Sequence, residues 1–375
     1  MHIHKKEHHM RINKHLFHRL VKVPQAPLDE TLHSDQRQAQ AETEPPDNAP
    51  EPPRIALPGA SPGLPPGVAR GLENEQAVLV SLHEYGWLTA RQVGRLVWRE
   101  STYGFQMGRR VLRRLEKKGL VVKRPLPRKA SAWVLSTRGA QQLRASGIDA
   151  RRGTDQRVDN ITWRHRWLVN EFLILKDPTG ITKYSEYAIL AHRGPFALTD
   201  TPRGRRPDRK WLGKIPDALW TKQDGDVALV SWIEVERTHK RPADLKQLCE
   251  FIVRGMHQPV IAHSVLELSK IFLVYTWDSQ RPETRAQVYP LIRALVRGIR
   301  AAFDHHFEPY DAVTVDAYAE TLFESVYLAL LDVGPGPILR DGIQGWRLQY
   351  VWHEEGLAVL KQELVEDGGR KHKRR

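Results

Sequence analysis

Two glutamates near the middle of the chain have the residue type and spacing of metal ligands. Glu234 and Glu236 stand two residues apart at the end of the apolar, β-branched run 227–235, which predicts a strand. Because side chains alternate along a strand, Trp232 and the two glutamates are expected on one face. Two carboxylates at the end of an apolar strand are unfavourable unless something binds them. The pattern therefore indicates a site for a cation.

A third carboxylate is expected to join them. Asp217 follows a proline and precedes the apolar run 218–220, which predicts another strand. A hairpin through the Asp/Gly turn at 224–226 brings Asp217 beside Glu234. Carboxylates that converge at a sheet edge are typical ligands of Mg²⁺ or Mn²⁺, which can generate a hydroxide nucleophile from water. We therefore predict one divalent-metal site formed by Asp217, Glu234 and Glu236.

The same acids have a second interpretation in which no ion binds. The two glutamates then pair with a neighbouring cation, Arg237 or Lys240, whose side-chain nitrogen occupies the space between the carboxylates. Another proline–aspartate pair, at 207–208, competes for the role of Asp217. It lies among arginines in the basic loop 194–214 rather than at a strand, and we reject it.

The composition favours a soluble protein with a polyanionic partner. The chain has 375 residues, of which 41% are hydrophobic, a formal net charge of +14 and a pI of about 9.8. Such an excess of positive charge is typical of proteins that bind nucleic acid. The single cysteine, Cys249, excludes an intrachain disulfide and favours a reducing compartment. No apolar run reaches the roughly 18 residues of a membrane span, so we expect a cytoplasmic protein that makes no membrane contact.

The first periodic part of the chain predicts three helices, a two-stranded hairpin and a fourth helix. Thr89 is expected to cap the second helix, because its hydroxyl accepts hydrogen bonds from the free amides of the first turn. Gly119 is expected to end the third helix. The predicted helices are 77–86, 90–98, 106–118 and 137–143, and the predicted strands are 120–123 and 131–135.

This part of the sequence, with LTARQVGRLVW, GRRVLRRLEKKGLVVKR and SAWVLSTRGAQQL, resembles the winged helix-turn-helix family. The resemblance implies that the third helix enters the major groove of DNA. Residues 105–129 carry ten Lys and Arg against one acid, Glu116. A solvated charged helix is the alternative, but a cluster of one sign on this scaffold favours a phosphate-binding surface. The predicted DNA-binding residues are Arg109, Arg110, Arg113, Arg114, Lys117, Lys118, Lys123, Arg124, Arg128 and Lys129.

The segment 161–278 resembles the PD-(D/E)xK, restriction-endonuclease-like nuclease family in its order of helix, strands, helix and strand. That family implies metal binding by Asp217 and Glu234, and it implies that Glu171, on the first helix of this segment, is a further metal ligand. The position of the family's lysine is Glu236 here, which is a departure. The resemblance implies that Lys240 or Lys246, on the following helix, supplies the missing lysine.

A third resemblance joins the two parts. The winged-helix pattern, the acidic strands and the segment HRWLVNEF are similar to the replication-relaxation family of plasmids and integrative elements, over most of 75–255. This similarity implies a bacterial mobile element. It also implies duplex DNA as partner, with other replication or transfer proteins as further candidate partners.

Other motifs indicate weaker chemistry. Asp304, His305 and His306 form a short phosphoesterase-like run that stands alone after a helix. His165 is expected to pack or to form a hydrogen bond rather than to ligate a metal.

We predict an α+β protein with two folded domains and disordered termini. Its function is predicted to be DNA binding with metal-dependent nicking or cleavage. The alternative is a non-enzymatic accessory factor or regulator with an inactive nuclease-like scaffold. The predicted divisions are a basic, proline-rich tail at 1–70, a winged helix-turn-helix domain at 71–148, a nuclease-like α/β domain at 158–304, a helical or mixed extension at 305–366 and a basic tail at 367–375.

Overall fold

A computed structural model describes the chain in segments, and both predicted tails lie almost wholly outside them. The described residues are 65–99, 101–126, 130–153, 163–175, 180–195, 214–236, 240–261, 266–278, 281, 283–333 and 343–365. Of the predicted N-terminal tail 1–70, only residues 65–70 are described. The first helix begins at Pro66, because proline suits the first turn of a helix, where its missing N–H would have no partner.

The first part of the fold contains four helices and three short strands. Thr89 caps the second helix, as the sequence predicts, and Gln92 completes a capping box that the sequence analysis did not predict. Gly119 follows the third helix with φ of +70°, a conformation that glycine adopts without strain. The elements are α1 (Pro66–Tyr85), β1 (Trp87–Thr89), α2 (Ala90–Val97), α3 (Gly104–Lys117), β2 (Val121–Pro125), β3 (Ser131–Leu135) and α4 (Thr137–Ala145).

These three strands form a small antiparallel sheet in the order β1–β3–β2. Trp87 of β1 pairs with Val134, and Val121 of β2 pairs with Leu135. The predicted hairpin is therefore confirmed, and β1 adds a third strand that the sequence did not predict.

The second part of the fold is built on a larger sheet. The sequence 184–191 also allows the prediction of a strand, and that prediction is wrong over most of its length. The Ser185 hydroxyl accepts a hydrogen bond from the Ala188 N–H, and a helix starts there. The elements are α5 (Trp163–Leu175), β4 (Ile181–Ser185), α6 (Glu186–Leu190), β5 (Ala218–Asp224), β6 (Val227–Glu236), α7 (Pro242–His257), β7 (Leu266–Trp277), α8 (Glu283–Ala286), α9 (Val288–Phe307), α10 (Ala312–Ser325), β8 (Val326–Asp332), β9 (Ile343–Arg347), α11 (Leu348–Val351) and α12 (Glu354–Val365).

The larger sheet has six strands in the order β4–β5–β6–β7–β8–β9. Its central strands β6, β7 and β8 are parallel, and the outer pairs are antiparallel. Helix α7 connects β6 to β7, and helices α8 to α10 connect β7 to β8. The fold is thus a mixed α+β arrangement, which confirms the predicted fold class at this level.

Alternating residues of β5 and β6 face two different cores. Trp232 packs on Phe251 of α7, with ring centroids 4.5 Å apart. On the other face, Trp220 stacks on Phe172 of α5 at 5.5 Å. This second core continues from α5 into the buried faces of α1, α2 and α3. None of the helices in the described residues has the length and apolarity to cross a membrane.

Candidate nucleic-acid interface and acidic cluster

Helices α2 and α3 cross at glycines, which brings their backbones into contact. A Cβ added at Gly94 would lie 2.5 Å from the carbonyl carbon of Gly104. A Cβ at Gly108 would lie 2.7 Å from the carbonyl oxygen of Ala90. A Cβ atom is not accommodated at such distances. The backbones of α2 and α3 can therefore pack this closely only because these positions are glycine.

Helix α3 has one buried face and one charged face. Val111, Leu112 and Leu115 are buried in the core with Gly104 and Gly108. The opposite side carries exposed cations, which we call the cationic face of α3. Its members are Arg109, Arg110, Arg113 and Lys117. These four side chains form no ion pair with any carboxylate of the described residues. Their charges are therefore available to a polyanion.

The remaining predicted DNA-binding residues have other surroundings. Arg114 and Lys118 both pair with Glu75, a buried carboxylate of α1, and the Lys118 Nζ lies 2.7 Å from its Oε2. On β2, Lys123 is exposed and Arg124 is half-buried. The other two predicted residues, Arg128 and Lys129, lie outside the described residues.

Helix α5 connects this region to the larger sheet. The Asn170 amide donates a hydrogen bond to the carbonyl oxygen of Trp87 at 3.1 Å. Glu171, which is fully buried, forms an ion pair with Arg95 of α2. Burial raises the pKa of Glu171, although the charges of Arg95 and Arg91 act against this rise. The structure therefore places Glu171 against α2, and not with the acids of β5 and β6, where it was predicted as a metal ligand.

The predicted hairpin of β5 and β6 is confirmed and brings two acids together. Ala218 pairs with Ile233, so Asp217 and Glu234 stand next to each other at the end of the hairpin. Two hydrogen bonds with the backbone of β6 hold Asp217 there. Its N–H donates to the Ile233 carbonyl oxygen at 3.2 Å, and its Oδ2 accepts from the Val235 N–H at 2.8 Å. Asp217, Glu234 and Glu236 are called the acidic cluster below.

The two glutamates of the acidic cluster are almost completely buried. Glu234 is 4% exposed and Glu236 is 6% exposed. The indole N–H of Trp232 donates to Glu234 Oε1 at 2.7 Å, which confirms that these two residues share a face of the strand. Buried carboxylates need donors or cations nearby, and the indole supplies one.

A nitrogen from outside the hairpin pairs with each acid of the cluster. His165 Nε2 lies 3.0 Å from Asp217 Oδ1, and Lys214 Nζ lies 3.1 Å from Glu234 Oε2. Lys240 Nζ lies 2.9 Å from Glu236 Oε1. The expectation that His165 forms a hydrogen bond is confirmed. The structure also places the Lys240 nitrogen where the ion-free interpretation expected it, whereas Arg237 lies outside the described residues.

The pKa values of Asp217 and Glu234 are shifted in opposite directions. Burial alone would raise the pKa of Asp217, but the hydrogen bond and charge of His165, with the Val235 N–H, hold it below its usual range. Burial and the neighbouring charge of Asp217 raise the pKa of Glu234 to about 7. Burial would lower the pKa of Lys240, but the carboxylate of Glu236 raises it. The cluster therefore holds one firmly ionised acid beside one that is easily protonated.

The acidic cluster as arranged does not fit a divalent metal ion. Within the described parts of the chain, no group of three or more His, Cys, Asp or Glu side chains is placed to hold a metal. The oxygens that would be ligands already contact Lys214, His165 and Lys240. An ion at this place would have to displace these nitrogens first.

A small cavity adjoins the outer end of the cluster. It has a volume of about 40 Å³ and is lined by Glu236, Lys240, Leu245, Leu248, Tyr275, Leu291, Ala294 and Leu295. Lys246, the other lysine predicted to assist the acids, lies away from it. Its side chain is 78% exposed and is 3.8 Å from Glu250 on the same helix.

Sequence reasoning missed Lys214 and Arg95, the partners of two buried acids. Arg95 lies 76 residues from Glu171, and Lys214 lies on the other side of the β5–β6 hairpin from Glu234, so no local spacing indicates the pairs. A usable signal was the apolar character around Glu171 and Glu234, since a buried carboxylate requires a partner from elsewhere in the fold.

The family model described as replication-relaxation matches residues 79–247. The match extends from α1 into α7 and thus includes both the cationic face of α3 and the acidic cluster. Over this part of its length the chain is similar to that family, which supports the resemblance seen in the sequence. No curated protein and no solved structure matched the chain.

Proposed function

We propose that this chain is a duplex-DNA-binding factor in the replication of a bacterial mobile element, and that the cationic face of α3 is its DNA-contacting surface. The observation that carries the proposal is a row of exposed cations without carboxylate partners among the described residues, opposite the buried face of the same helix. Phosphate oxygens provide the matching array of negative charges.

The surrounding elements support this surface as a winged helix-turn-helix. Three helices precede a β-hairpin, and the short strand β1 completes the sheet in the order β1–β3–β2. In this arrangement the third helix is the one that enters the major groove. The match to the replication-relaxation family model supports a role in replication.

The salt dependence of DNA binding by the full chain tests the proposal. Four phosphate contacts predict that affinity for a duplex falls about 100-fold between about 50 mM and about 200 mM salt. The double change Arg109→Ala and Arg113→Ala should reduce the slope of log affinity against log salt by about two. Lys246→Ala, which removes an exposed cation of α7, is the matched control and should leave the slope unchanged. Binding that is absent, or that ignores both arginines, contradicts the proposal.

A second candidate function, phosphodiester cleavage at the acidic cluster, is favoured by one observation. Lys240 approaches Glu236 from the segment after β6, where the resemblance to PD-(D/E)xK nucleases expects the lysine of this site. The order α5, β4, β5, β6, α7, β7 is also the order of elements expected for that fold. The paired acids argue against a preformed Mg²⁺ or Mn²⁺ site, so we propose DNA binding as the primary function.

Incubation of the full chain with supercoiled plasmid separates the two functions. The plasmid is exposed to protein with Mg²⁺, with Mn²⁺ or with EDTA, and its topology is read on a gel. Metal-dependent nicking that disappears in Asp217→Asn, while DNA binding persists, would establish cleavage. A plasmid that stays supercoiled under all three conditions, although bound, assigns the acidic cluster to structure alone.

A further inference from the structure

Two aromatic side chains stand exposed where the polypeptide enters α3. Tyr103, the residue before the helix, is 70% exposed, and Phe105, its second residue, is 45% exposed. Gly104 between them faces inward, because a Cβ there would lie 3.0 Å from the Gly94 carbonyl oxygen and 3.1 Å from the Trp98 carbonyl oxygen. Because Gly104 packs against the backbone of α2, the side chains of Tyr103 and Phe105 on either side of it are directed to the solvent.

Phe105 lies in line with the cationic face. Residues four apart on a helix are neighbours on its surface, and Phe105, Arg109, Arg113 and Lys117 are spaced by four. An apolar ring thus heads a row of cations on the exposed side of one helix. The charges of that row favour a polyanionic partner for the whole surface, the aromatic end included.

We infer that Phe105 reads thymine in the major groove, by contact with the C5-methyl group, and that Tyr103 borders the same contact. This inference rests on the proposed function. The first residues of a recognition helix meet base edges, while more distant cations meet phosphates. A phenyl ring has no hydrogen-bonding group, and the thymine methyl is the apolar group that base edges offer in the major groove.

A selection experiment with the full chain supplies the DNA. Wild-type protein and Phe105→Ala are each used to select duplexes from a pool with a randomised centre. Each thymine of the selected wild-type duplex is then replaced by uracil, which removes only the methyl group. At one or more positions we expect uracil to weaken wild-type binding about fourfold, the effect of losing one buried methyl contact. Phe105→Ala should bind thymine and uracil duplexes equally.

Three controls keep the inference open to refutation. Phe105→Leu retains an apolar side chain and should keep the sensitivity to uracil. Val313→Ala removes an exposed apolar side chain of α10, 79% exposed, and should behave as wild type. An unchanged melting temperature of Phe105→Ala shows that the loss arises at the DNA, since the ring is not part of the core.

The outcomes separate this inference from the proposed function. Steeply salt-dependent binding that tolerates uracil everywhere, or a pool that yields no preferred sequence, overturns the thymine contact alone. A Phe105→Ala protein that keeps the wild-type sensitivity to uracil overturns it too. A change in oligomeric state of Phe105→Ala, with DNA binding intact, assigns the ring to a protein interface instead. Failure of the wild-type chain to bind any duplex overturns the proposed function itself.

Discussion

The cationic face of α3 and the acidic cluster are both concentrations of one charge sign, yet their surroundings are opposite. The four cations of α3 are exposed and pair with no described carboxylate, whereas each acid of the cluster has a nitrogen within about 3 Å. The difference follows from burial. Water solvates exposed charges, so they need no partner within the protein and remain accessible to a ligand. Buried charges must instead be neutralised within the fold.

A cluster of acids in a sequence therefore does not by itself indicate a metal. The same three residues satisfy a metal-site pattern and an internal salt-bridge network. What distinguishes the two is the set of side chains that other elements bring to them. A cationic helix face is less ambiguous, because the helix period alone shows that its charges point away from the core.

The largest expected effect comes from breaking the ion pair between Arg95 and Glu171, which joins α2 to α5. Arg95→Leu removes the ion-pair partner of the fully buried Glu171 and leaves it with the Gln92 hydrogen bond and the charge of Arg91, so it should lower the free energy of unfolding by about 3–5 kcal/mol. Chemical denaturation of the full chain measures this loss.

The double variant Arg95→Leu with Glu171→Leu is the control for this prediction. It removes both charges and should recover most of the lost stability, because an apolar pair replaces an ion pair. If the single variant is as stable as wild type, Glu171 is neutral in the folded protein and the pair does not support the interface.

Gly94→Ala is expected to disturb the cationic face without touching the acidic cluster. The new methyl group would collide with the backbone of Gly104, so the free energy of unfolding should fall by about 1–3 kcal/mol and DNA affinity should fall with it. Gly71→Ala, in α1, adds the same methyl group where nothing lies within 4 Å, and it should be neutral or slightly stabilising. Equal behaviour of the two variants would show that the glycine contact is not needed.

Glu234→Gln should sharpen the description of the acidic cluster through its pH dependence. The pKa of Glu234 is raised from 4.5 to about 7, so between these pH values the folded chain binds more protons than the unfolded chain. Wild-type stability from this group is full below about pH 4.5 and is lost as pH rises through about 7. The loss is at most about 3 kcal/mol, since each unit of pKa difference corresponds to about 1.4 kcal/mol.

The side-chain amide of the Glu234→Gln variant does not titrate, so thermal melts of this variant between about pH 5 and about pH 8 should lack the decrease. Asp217→Asn is an informative comparison. Because the pKa of Asp217 is lowered, its contribution to wild-type stability is lost as pH falls into the acidic range, and this loss should be missing in Asp217→Asn. A wild-type profile that rises with pH over this range would mean that Lys214 keeps Glu234 ionised.

The smallest expected effect concerns the two cations that are not on the cationic face. Glu75→Gln releases Arg114 and Lys118 from their buried carboxylate, so DNA affinity at low salt should increase about two- to fivefold. Glu250→Gln, which frees Lys246 on α7, is the matched control and should leave affinity unchanged. A decrease in affinity after Glu75→Gln would mean that the pairs hold α3 in its binding position.

Local signals in the sequence predicted a large share of the fold. The cap by Thr89, the glycine after α3 and the hairpin of β5 and β6 depend on neighbours within a few residues, and all three are confirmed. The division of α3 into a buried and a charged face also follows from spacing alone. These features are set by backbone geometry and side-chain periodicity.

Features that depend on distant contacts were not predictable in this way. Glu171 was expected at the acidic cluster because PD-(D/E)xK nucleases resemble this segment and carry an acid on their first helix, which is α5 here. Its ion-pair partner is instead Arg95 of α2. The strand expected at 184–191 fails after Ser185, because a single capping bond starts a helix within an apolar stretch. In both cases one side-chain contact, absent from any periodic pattern, decided the outcome.

The shared core of α5 with α1, α2 and α3 limits how this protein can be rearranged by recombination. Separation of the chain between α4 and α5 would expose Leu168, Phe172 and their apolar partners on both pieces. We therefore expect that neither piece folds independently. Exchange of the region α1–α4 between related proteins would therefore have to include α5. We therefore expect helix α3, which we propose contacts DNA, and the sheet that holds the acids to be inherited together.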